Sequence, residues 1–305
     1  MSTPFVSVVV PVYNDPERLS ACLRALATQD YPADRFEVVV VDNASTEDVR
    51  SAIPVDDPRF RLLHEARRGS YAARNTGVAA ARGDLLAFTD ADCRPRQDWI
   101  RSGVVALQTE PVPDAVAGRI QLVFSGGAQP ATAPELYESL HEFQQAKYVD
   151  RWGWAATANV FVSAEVFGRV GRFDARLRSG GDMDWGTRLT GSGGVLRYAP
   201  AVVVDHPSRP SWPEMTRKAI RVAEGLASHA EGTSRRTLAR RAFREARSGL
   251  SVWVRVWRLP APDRAPDKLR YASAYCCVSL LRSAVRIRRL LTARRASALD
   301  PETHR

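Results

Sequence analysis

Apolar residues in the first hundred positions fall into short β-branched blocks separated by stretches with helical spacing. Residues 5–10 form a continuous buried-strand pattern, with Pro11 as its expected end. Asp15 then offers a helix N-cap and Pro16 suits the first helical position, while Leu19, Cys22, Leu23 and Leu26 recur three and four apart. Residues 36–41 and 59–64 read as further strands, 70–82 as an Ala-rich helix, and 85–89 as a strand closing on Asp90. Strands alternating with helices predict an α/β fold, a mostly parallel sheet with helices on both faces and right-handed crossovers. Ligands of such sheets bind beyond the carboxyl ends of the strands. Tyr13-Asn14, Asp42-Asn43 and Asp90-Ala91-Asp92 each follow a strand, so all point to one edge.

Later segments are less regular. Residues 111–134 are rich in Gly, Pro and Ala around an expected strand at 117–124, and a helix is expected over 134–148. A turn at 191–194 and a strand at 202–205 follow, and beyond Pro213 the chain reads as Arg-rich helix broken near Pro260, Pro262 and Pro266. Two units are expected: a catalytic domain over 1–210, with halves 1–95 and 96–210, and a basic helical extension over 211–305.

Composition changes this picture in two respects. At 45% hydrophobic and 26% charged residues, the chain can bury a real core. Its net charge of +10 is unevenly spread: residues 1–210 carry 23 Lys and Arg against 26 Asp and Glu, and residues 211–305 carry 21 against 8. The extension therefore holds the excess, which suits peripheral contact with an anionic membrane face better than nucleic acid. Residues 280–291, alternating apolar and basic, fit that role or a solvated packed helix equally. Cys22, Cys93, Cys276 and Cys277 lack zinc-type spacing and two are adjacent, which argues against a disulfide framework and for a cytoplasmic setting, at most at the inner membrane face. No apolar run approaches the about 20 residues of a membrane span.

Asp90 and Asp92 at a strand end suit a divalent cation on a diphosphate, although Asp-x-Asp alone more often marks a turn or helix cap. Context separates the two. Val8-Val9-Val10-Pro11-Val12-Tyr13-Asn14, Val40-Val41-Asp42-Asn43-Ala44-Ser45, Ala73-Arg74-Asn75 with Gly77, and Phe88-Thr89-Asp90-Ala91-Asp92 occur in that order. Together they resemble the family 2 glycosyltransferases, a resemblance covering roughly residues 5 to 210, and it implies a GT-A nucleotide-diphospho-sugar transferase fold.

The resemblance implies an inverting transfer from a nucleotide sugar, with UDP-sugars the donors that family frequency favours, to a hydroxyl of a glycan, lipid-linked or small-molecule acceptor. Cell-surface polysaccharide, glycolipid or secondary-metabolite glycoside synthesis would be the setting. Pro11, Tyr13, Asn14, Asp42, Arg68, Arg74, Asn75, Asp90, Ala91 and Asp92 would bind the nucleotide sugar; Asp92, with Asp90 and His206, would hold Mg²⁺ or Mn²⁺. Asn159, Trp154 and Trp185 would face the acceptor, and Asp182, with Asp184 as rival, would take the acceptor proton. The segment around Asp182 departs from the family's Glu-Asp-x-Asp pattern, with Gly181 in the position of the Glu.

Other function classes fare worse on the residues. A dinucleotide oxidoreductase needs G-x-G-x-x-G where this chain has Pro11-Val12-Tyr13-Asn14-Asp15. A nucleotidyltransferase usually carries an early Gly-rich phosphate loop, absent here. A degenerate transferase acting only as a membrane- or nucleic-acid-binding protein is the non-enzymatic alternative, motivated by the basic tail.

Overall fold

A computed structural model describes residues 3–228 and 234–298, with side chains described through residue 225 and over 234–292. Of the basic extension, 229–233 and 299–305 therefore lie outside the described residues. Contacts divide the chain into two compact units, one of residues up to Val123 with Phe143–Pro207, the other of Phe124–Glu142 with the residues from Ser208 onward.

The first unit is built on one mixed sheet. Its strands are β1 (Val6–Val12), β2 (Phe36–Asp42), β3 (Phe60–His64), β4 (Leu85–Thr89), β5 (Arg94–Pro95), β6 (Ala115–Val123), β7 (Asn159–Ser163) and β8 (Leu196–Pro207), in the spatial order β3-β2-β1-β4-β7-β6-β8-β5. The four strands from β3 to β4 are parallel. Strand β7 runs antiparallel to β4, β6 antiparallel to β7, and β8 parallel to β6. Two reversals therefore return the end of β8 to the edge where β1, β2 and β4 end. That geometry brings His206 to the loops after Val12, Asp42 and Thr89.

Pro11 does not end β1, which continues to Val12. Asn43 N–H donates to the Val12 carbonyl at 2.8 Å, so the peptide edge of Val12 faces β2 and alternation turns that of Pro11 toward β4. Pairing with β4 stops at Val9, so the N–H that proline lacks has no ladder partner to lose.

Helices α1 (Pro16–Ala27), α2 (Ser70–Ala80) and α3 (Trp99–Gln108) lie in this unit; α4 (Ala133–His141) lies in the second, and α5 (Gln145–Trp152), α6 (Ala164–Val170) and α7 (Gly181–Gly191) return to the first. Asp15 caps α1 by accepting from Arg18 N–H, with Pro16 at its start. Alternation along β1 then sorts the core. Val6, Val8, Val10 and Val12 meet Leu19, Cys22, Leu23, Leu26 and the α3 residues Trp99 and Ile100, whereas Val9 lies with Phe88, Phe167, Phe173 and Trp185 on the other face.

The single helix expected over 134–148 is two helices, separated at Phe143, whose φ of 54° leaves the helical region. Thr132 and Glu135 form a capping box at the start of α4. The second unit is completed by α8 (Trp212–Ser228), α9 (Arg235–Arg255) and α10 (Ala265–Ala298). Tyr137 packs with Met215, Ala219, Ala274 and Val278, and the buried Glu138 carboxylate accepts from Arg209 at 2.5 Å and Lys218 at 3.1 Å. Helices α9 and α10 approach closely where Gly249 meets Ser279 and Cys276. Among the described residues no helix is long and apolar enough to cross a membrane.

Candidate functional site

The polar edge of the first unit is organised by Asn43 and by the start of α2. Buried Asn43 donates to the carbonyls of Glu65 and Arg67 at 3.2 and 2.8 Å and accepts from Gly69 N–H at 2.7 Å, fixing the loop that carries Arg68. Gly69, with φ of 134°, makes the turn into α2. Arg68 consequently lies with its guanidinium 4.8 Å from the centre of the exposed Tyr13 ring. Asn14, at φ 49°, accepts from the N–H groups of Thr46 and Glu47 at 2.7 and 3.3 Å, so its side-chain oxygen staples the loop after β2 to the loop after β1. Asp42 accepts from Ser45 N–H at 3.0 Å and faces His64 Nδ1 at 3.4 Å. Burial opposes its charge, but these hydrogen bonds prevail and hold its carboxyl below the usual range.

Helix α2 sends two side chains to acidic groups and a third to the backbone of a neighbouring loop. Arg74 is buried, forms a short ion pair with Asp90, and lies 5.6 Å from the Tyr71 ring centre. Tyr71 donates its hydroxyl to Asp182 Oδ1 at 3.1 Å, and Met183 N–H donates to the same oxygen at 3.0 Å. Burial pushes the Asp182 carboxyl above its ordinary value, opposed by the Arg74 charge and these hydrogen bonds. Desolvation and the adjacent Asp182 likewise keep the Tyr71 hydroxyl protonated. Asn75 donates to Phe173 O at 2.8 Å and accepts from Phe173 N–H at 3.1 Å, a role in loop anchorage.

Tyr71 also accounts for Gly181. A Cβ at that position would come within 2.8 Å of the Tyr71 ring, so the ring occupies the space from which a larger side chain would grow. Asp184 is held by Arg188 one turn along α7, at 3.0 Å. It belongs to a surface pair, whereas Asp182 belongs to the Tyr71 and Arg74 cluster.

Asp92 and His206 meet at 3.4 Å between Oδ2 and Nε2, with the Cys93 thiol beside them. His206 Nδ1 lies 2.7 Å from the Pro207 carbonyl, which can only accept, so the ring proton belongs on Nδ1. If the ring is neutral, that tautomer directs the Nε2 lone pair toward the Asp92 carboxylate, an arrangement that suits a shared cation. Oxygen from Asp92 and nitrogen from His206 fit Mn²⁺ or Mg²⁺. Cys93 is a poor third donor, because burial, and then Asp92 and Asp90, drive its thiol well up. Asp205, the neighbour of His206 on β8, pairs with Arg96 at 3.1 Å.

Two expected acceptor contacts lie in the interior instead. Asn159 is fully buried; it accepts from Trp99 Nε1 at 2.9 Å and donates to the carbonyls of Arg119 and Val202, each at 2.9 Å. Its amide is spent joining strands. Trp185 is buried against Phe167 and donates Nε1–H to Gly171 O at 2.9 Å. Trp154 remains half-buried, stacked on Tyr148 at 4.3 Å. Pro11 and Ala91 are buried.

Residues 7–162 match the model of glycosyl transferase family 2. The chain belongs to that family. Glycosyltransferase AglE of Haloferax volcanii is 38% identical over 263 residues, spanning 85% of this chain and 83% of that protein. Pre-mycofactocin glycosyltransferase of Mycobacterium tuberculosis is 33% identical over 215 residues, 67% of this chain but 43% of that protein. Among solved structures, the mannosyltransferase PcManGT from Pyrobaculum calidifontis, in complex with GDP-Man and Mn²⁺, matches with a TM-score of 0.60 at 23% identity, over 99% of this chain and 82% of that one. This likeness establishes the GT-A-type fold. As a family 2 glycosyltransferase the protein uses a nucleotide-sugar donor.

Proposed function

We propose that this family 2 enzyme transfers a sugar, with inversion, from a UDP-sugar to an acceptor hydroxyl, using Asp182 as general base. The observation that carries this is the Asp182 carboxylate: partly desolvated, gripped at Oδ1 by Tyr71 and Met183, and thereby presenting Oδ2 for a proton. The acceptor oxygen attacks the anomeric carbon on the face opposite the diphosphate, the bond from that carbon to the phosphate oxygen breaks, and the acceptor proton passes to Oδ2. Tyr13 and Arg68 suit the base, and Asp42 the ribose. Asp92 and His206 would hold Mg²⁺ or Mn²⁺, which when bound offsets the diphosphate charge. Asp90, bonded to Arg74, would act at one remove from the metal. Trp154 offers an aromatic face to an acceptor sugar ring. The basic second unit supports peripheral contact with an anionic membrane face, where a lipid-linked acceptor would be met.

A thermal-shift panel of UDP- and GDP-sugars with and without Mn²⁺ tests donor and metal together. The expected result is a metal-dependent rise for a UDP-sugar, lost in Asp92→Asn and retained in Asp182→Asn, which should instead lose turnover about a thousandfold. No metal-dependent shift with any donor, or full turnover in Asp182→Asn, would overturn the proposal.

A further inference from the structure

Helix α9 carries an apolar stripe on the side away from its packing partner. Ala242, Gly249 and Val252, together with Val256 in the short turn that continues the helix, are buried, and Ser283 and Arg286 of α10 bond to Ala242 O and Glu245 from that side. Phe243, Leu250 and Val254, spaced seven and eleven residues along one face, are instead 70%, 62% and 71% exposed, and Trp257 in the following turn is 52% exposed. Trp253 is exposed beside them. Exposed Arg240, Arg244, Arg247 and Arg258 line one flank. From Arg235 to Arg258 the chain has eight arginines and a single acidic residue, Glu245, which is held by Arg286 at 2.8 and 3.0 Å.

We propose that this face of α9 is the surface that docks on an anionic phospholipid bilayer, the stripe entering the headgroup boundary and the arginines meeting lipid phosphates. The inference rests on the peripheral-membrane reading and names its contact. An aliphatic centre of Leu250 and Val254 has no use on a nucleic-acid backbone, whereas an interfacial helix needs an apolar band with cations beside it. Tryptophans at one end of the stripe suit the same boundary, being apolar in body and polar at the ring nitrogen. The 280–291 segment of α10 fits less well, because Arg286 and Arg289 are turned inward to Glu245 and the Glu224 carbonyl.

The test is sedimentation of the full chain with vesicles of phosphatidylcholine alone and of phosphatidylcholine mixed with phosphatidylglycerol, at low and raised salt. Wild type is expected on the mixed vesicles only, more weakly as salt rises. Leu250→Ser with Trp257→Ser should weaken partition about tenfold, Arg244→Glu with Arg247→Glu should weaken it comparably, and Leu280→Ser with Ile287→Ser should leave it unchanged. An unaltered thermal transition certifies that each variant is folded. Failure of wild type to bind any anionic vesicle would overturn the peripheral reading itself. Binding by wild type that the α9 variants retain would overturn only the choice of face, as would a dimer in light scattering that the Leu250 and Trp257 changes dissociate while vesicle binding persists.

Discussion

Tyr71 and Gly181 are fitted to one another: the ring fills the space a side chain at 181 would need, while the hydroxyl steadies the adjacent Asp182. Tyr71→Phe keeps the packing and removes one hydrogen bond to the carboxylate. Turnover is expected to fall about tenfold with little change in donor KM. The Tyr71 hydrogen bond lowers the Asp182 pKa, so its loss raises that pKa further, and the acid limb of the pH–rate profile should move to higher pH. An unmoved acid limb would reduce Tyr71 to a packing role. The sequence offered no route to this pair, because 71 and 182 meet only through the fold, and no short motif joins them. Asn159 and Trp185 were misplaced for a related reason: amide and indole groups serve an interior as readily as an acceptor, and burial decides between them. Asp92 and His206 come together because Asp92 lies in the loop after β4 and His206 near the end of β8, and the topology brings those two ends to the same edge.

At the scale of elements, the alternating strands and helices of the first 95 residues were readable to within about two residues, since β-branched blocks and capped amphipathic helices have strong periods. By contrast, β8 begins at Leu196 rather than 202, and β7 was not anticipated. Nor was the break at Phe143, because a phenylalanine in a left-handed conformation leaves no turn signature. At the edge remote from the site, Glu37 at the start of β2 ties the parallel strands together. Its carboxylate accepts from Ser7 of β1, Arg61 of β3, and both the backbone and side chain of Arg82 ahead of β4. Burial opposes ionisation of Glu37, but these donors prevail and depress its pKa. The contribution to stability is therefore complete above the ordinary carboxylate value and declines as pH falls toward the folded pKa. Glu37→Gln should cost about 2 kcal/mol in denaturant unfolding at neutral pH, a modest figure because Arg61 and Arg82 keep contact with water. The gap from wild type should narrow in acid; a gap that widens there would refute the assignment.

For the whole molecule, the two units are interleaved in sequence, with α4 belonging to the unit that α8, α9 and α10 complete. A chain stopped at Pro207 retains every strand, yet strips Tyr137 of Met215, Ala274 and Val278, and takes Arg209 and Lys218 from Glu138. Such a truncation is expected to show a lowered thermal transition and poor soluble yield. Recovery with the full-length transition temperature would show that α4 needs no partner. The route of the sheet has a further consequence for how the enzyme is made. Tyr13 leaves the ribosome early and His206 late, and His206 joins that edge only through the pairing of β8 with β6. The segments that carry Tyr13, Asp42 and Arg68 therefore leave the ribosome well before the residue that completes the candidate metal pair with Asp92.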